Sequence, residues 1–164
     1  LVKSYRNSYA MNCCTGHLFN HESILRPTNF VTKKIIKSAV EIYNKKSEIL
    51  ELGNINISRD WGWAPDYVEA MWLMLQNKNI DDFIIGTGKS NSLKTFIRIV
   101  FEKLKIDYEK HIKINEKYFR PSEILVNKCN PEKAKQKLGW NSTKSLNDVI
   151  ELMVEFELKK QSFL

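Results

Sequence analysis

The alternation of apolar and polar positions predicts helices and short strands in turn along the whole chain. Near-helical spacing of apolar residues, as at Val31, Ile35, Ala39 and Ile42, indicates helices. The predicted helices span residues 1–9, 30–46, 65–76, 93–104, 131–138 and 146–159. The predicted strands span residues 12–19, which we expect to be buried, 48–52, 83–85 and 111–114. Such alternation predicts the α/β fold class.

Several segments between these elements are assigned to neither a helix nor a strand. Residues 20–29 and 117–126 are expected to be loops, and residues 57–64 to be irregular. Pro65 suits the first position of the third helix. The apolar residues of that helix predict a core-facing stripe made of Tyr67, Val68, Met71, Trp72 and Leu75.

Composition narrows the class of protein. The 164 residues suit one compact domain, and the longest apolar runs are far too short for a membrane span, so no membrane partner is expected. Cys13, Cys14 and Cys129 lack metal-ligand spacing. We therefore expect no metal site, and reduced thiols in a cytoplasmic protein.

The basic balance is the feature that first invites a nucleic-acid partner. Lys and Arg number 26 against 19 Asp and Glu, for a formal charge of +7. No nucleic-acid recognition motif accompanies this charge. The lysines at 33, 34, 37, 45 and 46 are expected to form the solvated face of one helix. A non-catalytic basic module that binds nucleic acid is the alternative from a different functional class.

Three segments carry residues suited to binding phosphate and hydroxyl groups. Asn20, His21 and Arg26 follow a predicted strand, where ligands bind in open α/β sheets, although a plain surface loop would look the same. Arg59 could fork around a pyrophosphate or pair with Asp60 beside tryptophans. The third segment holds Arg120 and Glu123, which suit an anionic nucleotide and its ribose hydroxyls but could equally form a local salt bridge.

The order and spelling of these segments resemble the C-terminal half of the GDP-mannose 4,6-dehydratase family, within the extended short-chain dehydrogenases/reductases. The matching words are residues 19–23 (FNHES), 29–35 (NFVTKKI), 52–54 (LGN), 59–62 (RDWG), 66–76 (DYVEAMWLMLQ), 118–123 (YFRPSE) and 133–140 (KAKQKLGW). The resemblance implies the C-terminal part of a Rossmann-type fold with the small α/β substrate-binding domain. Residues 1–164 would be that portion, without the Gly-rich N-terminal half.

The resemblance also implies a role for each candidate residue. His21 and Arg26 match positions that hold the cofactor NADP. Positions that line the GDP-sugar site are matched by Asn20, Lys34, Arg59, Arg120 and Glu123. Among these, Arg59 and Arg120 would contact the diphosphate, and Glu123 would lie towards the nucleoside.

Family members convert GDP-mannose to GDP-4-keto-6-deoxymannose, an early step of GDP-fucose biosynthesis, by passing a hydride through the bound cofactor. Their catalytic Tyr-x-x-x-Lys pair is expected upstream of Leu1, and residues 1–11 would end the helix that bears it. This chain alone is therefore expected to be inactive. The full-length protein is expected to form dimers or tetramers.

Some positions depart from the family pattern. Ile24 and Leu25 stand where Pro-Arg is usual, and Leu125 stands where an acidic residue is usual. Residues 127–129, with Lys128 at the centre, replace an apolar stretch that ends in Gly. A related nucleotide-sugar dehydratase or epimerase, such as a GDP-heptose dehydratase, therefore stays open as an alternative.

Overall fold

The computed structural model describes residues 1–162 as short strands interleaved with helices. The helices are α1 (Val2–Tyr9), α2 (Val31–Tyr43), α3 (Ala64–Gln76), α4 (Leu93–Lys103), α5 (Glu132–Leu138) and α6 (Leu146–Ser162). The strands are β1 (Gly16–Leu18), β2 (Asn20–Glu22), β3 (Leu50–Leu52), β4 (Ser58–Trp63), β5 (Phe83–Ile85), β6 (Ser90–Ser92) and β7 (Ile112–Ile114).

The strands form small sheets, and the sheet around β4 positions the candidate site. β4 lies between β2, which runs parallel to it, and β6, which runs antiparallel. Asn20 of β2 pairs with Trp61 of β4. The strand pairs β1–β5 and β3–β7 are both parallel. Because parallel pairing joins strands distant in sequence, each pair needs a helical crossover, which accounts for the interleaved helices.

Two apolar cores hold these layers together. The larger one joins α2, α4 and α6 to β3 and to Trp61 of β4. The second joins α3 and α5 to β5, with Tyr67 and Trp140 as its largest side chains. Trp61 and Gly62 are neighbours on β4, so their side-chain positions lie on opposite faces. Consistent with this, Trp61 packs in the first core and Gly62 faces Tyr67 of the second.

The six predicted helices are confirmed, whereas three strands were missed. Residues 20–22 were expected in a loop and residues 57–64 to be irregular, yet they contain β2 and β4, and residues 90–92, to which no strand was assigned, form β6. Their composition is polar or glycine-containing, and what makes them strands is pairing with one another across the chain. Ser92 caps α4, accepting a hydrogen bond from the Thr95 backbone N–H.

The predicted core stripe of α3 is wrong except for Tyr67. The buried face of the helix is Asp66, Tyr67, Ala70 and Met74. Asp66 tolerates burial because Thr143 donates to its carboxylate from both its backbone and its hydroxyl, at 2.8 and 2.7 Å. The exposed side chains of the expected stripe are Val68 (62%), Met71 (42%), Trp72 (61%) and Leu75 (60%).

Two further expectations are corrected. Lys33 is not solvated: it is buried, and its ammonium lies 2.7 Å from the buried carboxylate of Glu157 on α6, which ties α2 to α6. The strand expected to be buried at residues 12–19 is reduced to β1, and Gly16 and His17 of it are exposed. Across residues 1–162, none of the helices combines the length and the apolar character needed to cross a bilayer.

Candidate functional site

A cleft of about 290 Å³ lies at the end of β1 and along β2. It is lined by Leu18, Phe19, Asn20, His21, Arg26 and Asn127. Asn20, His21 and Arg26 belong to the first of the three segments whose residues suit binding to phosphate and hydroxyl groups. The cleft therefore brings together Asn20, which the resemblance assigns to the GDP-sugar site, with His21 and Arg26, which it assigns to the cofactor, and it adds Asn127 from a segment distant in the sequence.

Asn20 is positioned from both sides of its strand. Its backbone pairs with Trp61, and its carbonyl oxygen lies 3.3 Å from the hydroxyl of Tyr67. Burial raises the pKa of Tyr67, with Asp60 adding to the rise, so the hydroxyl stays neutral and donates. Tyr67 thereby links the core of α3 to the floor of the cleft.

His21 has a defined ring orientation. Its imidazole packs against the ring of Tyr67 with centroids 4.7 Å apart. Nδ1 lies 2.8 Å from the carbonyl oxygen of Phe19. Because a carbonyl oxygen only accepts, Nδ1 carries the proton in the neutral ring, and Nε2 remains for a ligand.

Arg26 is held by two neighbours that fix its guanidinium beside the cleft. Its Nε lies 3.1 Å from Oε2 of Glu22, and its guanidinium carbon lies 3.8 Å from the centroid of the Phe30 ring. Glu22 is 1% exposed, and this burial raises the pKa of its carboxyl although Arg26 opposes the rise. A fixed guanidinium of this kind suits a phosphate group.

Arg59 does not pair with Asp60, and we reject the interpretation of this segment as a local Arg–Asp pair. Its Nη2 donates to Oε1 of Glu123 at 2.8 Å. Its Nη1 donates to the carbonyl oxygen of Ile124 at 2.6 Å and to that of Ser58 at 2.9 Å. Arg59 therefore ties the segment around Glu123 to β4.

Asp60, whose side chain lies on the face of β4 opposite to that of Arg59, forms hydrogen bonds within the protein interior. It is fully buried, and its carboxylate accepts hydrogen bonds from the backbone N–H groups of Thr87 and Gly88 at 3.0 and 2.8 Å. The thiol of Cys129 donates to its Oδ2 at 3.2 Å. A Cβ at Gly86 would lie 2.4 Å from that sulfur, so Gly86 allows Cys129 to pack there. This contact gives a physical reason for the cysteine in the departing stretch 127–129.

Lys34 lies near the start of the loop at residues 118–126, the loop whose Glu123 and Ile124 contact Arg59. Its ammonium donates to the carbonyl oxygen of Glu51 at 2.7 Å and lies 4.7 Å from the centroid of the Tyr118 ring. A Cβ at Gly53 would lie 2.6 Å from the Tyr118 carbonyl oxygen, so the loop needs glycine there to approach this closely. Lys34 and Arg59 therefore both contact residues 118–126, the loop that carries Glu123.

The alternative of a local salt bridge between Arg120 and Glu123 is wrong, because Glu123 pairs with Arg59. Arg120 is exposed, and none of the ion pairs among residues 1–162 includes it. Two groups of candidate residues thus result. The first lines the cleft, and the second surrounds the loop at 118–126.

The charges and donors of both groups suit an anionic, hydroxyl-rich ligand. Arg26 and Arg59 supply guanidinium groups for phosphate, while Asn20 and His21 supply neutral hydrogen-bonding groups. A dinucleotide cofactor with its phosphates and ribose hydroxyls fits this donor set. Within residues 1–162, no group of three or more His, Cys, Asp or Glu side chains is placed to hold a metal ion.

Sequence reasoning missed three residues of the site: Glu22, Tyr67 and Asn127. Glu22 lies four residues before Arg26, a spacing that could have indicated a pair. Tyr67 was assigned to the core, which is correct, but its contact with Asn20 spans 47 positions and leaves no local signal. Asn127 was noted as a departure, and only the fold brings it to the cleft.

The chain matches one family model along most of its length. A family described as "GDP-mannose 4,6 dehydratase" matches residues 1–153. "GDP-mannose 4,6 dehydratase 1" of Arabidopsis thaliana is 42% identical over 156 residues, which cover 95% of this chain and 43% of the relative. The Dictyostelium discoideum and Homo sapiens proteins named "GDP-mannose 4,6 dehydratase" are 42% and 38% identical, each covering 97% of this chain and 49% and 47% of the relative. The chain thus spans about half the length of the curated relatives it matches.

Solved structures of low sequence identity share the fold. RMD from Pseudomonas aeruginosa, complexed with NADPH, superposes with a TM-score of 0.85 at 14% identity and covers 97% of this chain and 52% of its own. dTDP-glucose 4,6-dehydratase from Bacillus anthracis, in complex with NAD, gives 0.85 at 15% identity and covers 99% and 50%. The expected fold class, the C-terminal part of a Rossmann-type α/β fold, is confirmed by this likeness.

Proposed function

Because this chain belongs to the GDP-mannose 4,6-dehydratase family, we propose that it is the ligand-binding portion of an enzyme that converts GDP-mannose to GDP-4-keto-6-deoxymannose with NADP as cofactor. The observation that carries the proposal is the cleft in which Asn20, His21 and Arg26 meet. Its residues are neutral hydrogen-bonding groups beside one guanidinium, which is the donor set of a phosphorylated ribose.

The cofactor contacts proposed for the family positions agree with this geometry. His21 would offer Nε2 to a ribose hydroxyl or a carboxamide, since Nδ1 is committed to Phe19. Arg26 would bind a phosphate group with an orientation fixed by Glu22 and Phe30. A nicotinamide group, when bound, would accept the hydride from the hexose and return it within one turnover.

The substrate contacts are proposed for the second group of residues. Arg59 is anchored through Nη1 to two carbonyl oxygens, so its position does not depend on the ligand. A diphosphate would be bound by Arg59 together with the exposed Arg120, and Glu123 would accept hydroxyl donors of the nucleoside. Lys34 would add positive charge at the same loop.

Residues 1–164 contain no Tyr followed four positions later by Lys. We therefore assign no catalytic base within residues 1–164, and their role in this proposal is to bind and orient the ligand and cofactor. The proposal includes the domain assignment: residues 1–164 would be the C-terminal substrate-binding portion with part of the NADP-binding fold. Localisation in the cytoplasm and assembly into dimers or tetramers of the full-length enzyme belong to the same proposal.

Calorimetric titration of the chain with GDP-mannose, UDP-glucose and NADP tests the proposal. We expect binding of GDP-mannose and NADP, with GDP-mannose preferred over UDP-glucose, and no 4-keto-6-deoxy product when both ligands are present. Product formation would contradict the binding-only role. Binding of DNA with a steep dependence on salt, and no binding of either nucleotide, would favour the nucleic-acid module instead.

A further inference from the structure

Asn127 lines the cleft from a part of the chain distant from its other lining residues. The rest of the lining comes from residues 18–26. Asn127 lies just after the bridge between Val126 and Ser58, and the backbone of this segment runs beside β4. Asn127 therefore forms a part of the cleft lining that residues 18–26 do not provide.

The backbone of Asn127 is fixed by two strands. Its N–H donates to the carbonyl oxygen of Ser58 at 2.9 Å, and its carbonyl oxygen accepts from the hydroxyl of Ser90 at 3.1 Å. Both bonds come from main-chain atoms of Asn127. Substitution of its side chain therefore leaves this anchoring intact.

The side-chain amide of Asn127, like that of Asn20 in the same cleft, differs from those of the asparagines that stabilise turns. Several accept a hydrogen bond from the backbone N–H two residues later and so stabilise a turn; they are Asn54, Asn77, Asn115 and Asn130. The side chain of Asn127 forms no hydrogen bond with any of residues 1–162. The residue is half-buried and lines the cleft, so its donors and its acceptor remain for a ligand there.

We propose that Asn127 determines ligand specificity by binding a neutral hydrogen-bonding group, a hydroxyl or a carboxamide, of the nucleotide ligand in this cleft. The inference rests on the proposed function. Arg26 selects the charge of the ligand, and Asn127 supplies a donor and an acceptor from a part of the cleft that residues 18–26 do not line. A polar cleft of this kind rejects a ligand that leaves the amide unpaired.

The test is calorimetric titration of Asn127→Leu, which matches asparagine in size and removes its donors and acceptor. We expect affinity for GDP-mannose or for NADP to fall at least tenfold. Titration with GDP and with 2′,5′-ADP identifies the source of the bound group. A loss for GDP-mannose but not for GDP assigns it to the sugar, and a loss for NADP but not for 2′,5′-ADP assigns it to the nicotinamide half.

Asn141→Leu is the matched control, because Asn141 is exposed and lies outside the cleft. It should bind as the unmodified chain does, and Asn127→Ala replaces Asn127→Leu if the latter fails to fold. Unchanged affinity of the Asn127 variants for both ligands would overturn this inference and leave the proposed function standing. If the unmodified chain bound neither ligand, the proposed function would fail, and this inference with it.

Discussion

Arg59 and Glu123, which lie 64 positions apart in the sequence, are joined by a hydrogen-bonded ion pair of 2.8 Å. Both side chains are mostly buried, with 14% and 17% exposure. The sequence assigned them to different parts of one ligand, whereas the structure shows them in contact. Glu123 therefore holds the guanidinium that a diphosphate would approach, and the ligand has to share Arg59 with it.

Replacement of Arg59 by lysine should weaken GDP binding at least tenfold. A lysine ammonium cannot keep the contacts to Glu123, Ile124 and Ser58 while offering a second donor to phosphate. Charged hydrogen bonds contribute about 1.5–3 kcal/mol each, which makes the loss measurable by calorimetry. Arg98→Lys, on an exposed ion pair of α4, is the control and should leave affinity unchanged. Equal GDP affinity of Arg59→Lys and the unmodified chain would contradict the assignment of Arg59 to the diphosphate.

Glu22→Gln should reveal a pH-dependent difference in stability. Burial raises the pKa of Glu22 in the folded chain above its ordinary value of 4.5. The folded state therefore holds this proton more tightly than the unfolded state does. The resulting stabilisation is complete below the unfolded pKa and is lost as pH rises through the folded value. Relative to Glu22→Gln, the unmodified chain should thus lose unfolding free energy as pH rises above the ordinary carboxyl pKa of 4.5.

Urea unfolding at several pH values measures this difference, and the comparison cancels the carboxyls common to both proteins. Glu41→Gln is the control, because Glu41 lies on the surface of α2 in an ion pair with Lys37. Its difference from the unmodified chain should stay nearly flat with pH. A Glu22→Gln difference that is equally flat would show that burial does not govern this carboxyl.

The helices could be predicted from sequence because their signals are local. α2 and α4 carry apolar residues at helical spacing, and Ser92 caps its own helix three residues away. β2 and β4 have no such signal: Asn20 becomes a strand residue only by pairing with Trp61, 41 positions later. Periodicity also misassigned the faces of α3, because Asp66 is accepted in the core by Thr143 while Trp72 is left exposed.

The residues of the candidate site likewise divide into those with a local sequence signal and those positioned by long-range contacts. The sequence identified Asn20, His21 and Arg26, which are close together in the chain and meet in one cleft. It could not predict that Glu123 pairs with Arg59 rather than with Arg120, since that choice depends on how residues 118–126 lie against β4. Partners set by long-range contacts leave no trace in local spacing.

The thiols should differ sharply in reactivity. Burial, reinforced by the hydrogen bond to Asp60, raises the pKa of Cys129 to about 12, so this thiol is protonated at neutral pH. Cys13 and Cys14 are only half-buried. Iodoacetamide at pH 8 should therefore modify Cys13 and Cys14 well before Cys129, as read by peptide mass spectrometry. In urea all three should react at similar rates, and early modification of Cys129 in the folded chain would contradict its contact with Asp60.

The exposed apolar side chains of α3 should make this chain self-associate. Val68 and Trp72 lie four residues apart on one face of the helix and are 62% and 61% exposed. Clustered apolar exposure of this kind favours association in water. Sedimentation equilibrium should show oligomers, and the double variant Val68→Lys, Trp72→Glu should shift them to monomer. The unfolding free energy of the double variant should change by less than about 0.5 kcal/mol, because neither side chain lies in a core. By contrast, Trp140→Ala, in the core of α3 and α5, should lower the unfolding free energy by about 3–5 kcal/mol. A monodisperse monomer of the unmodified chain would contradict the prediction.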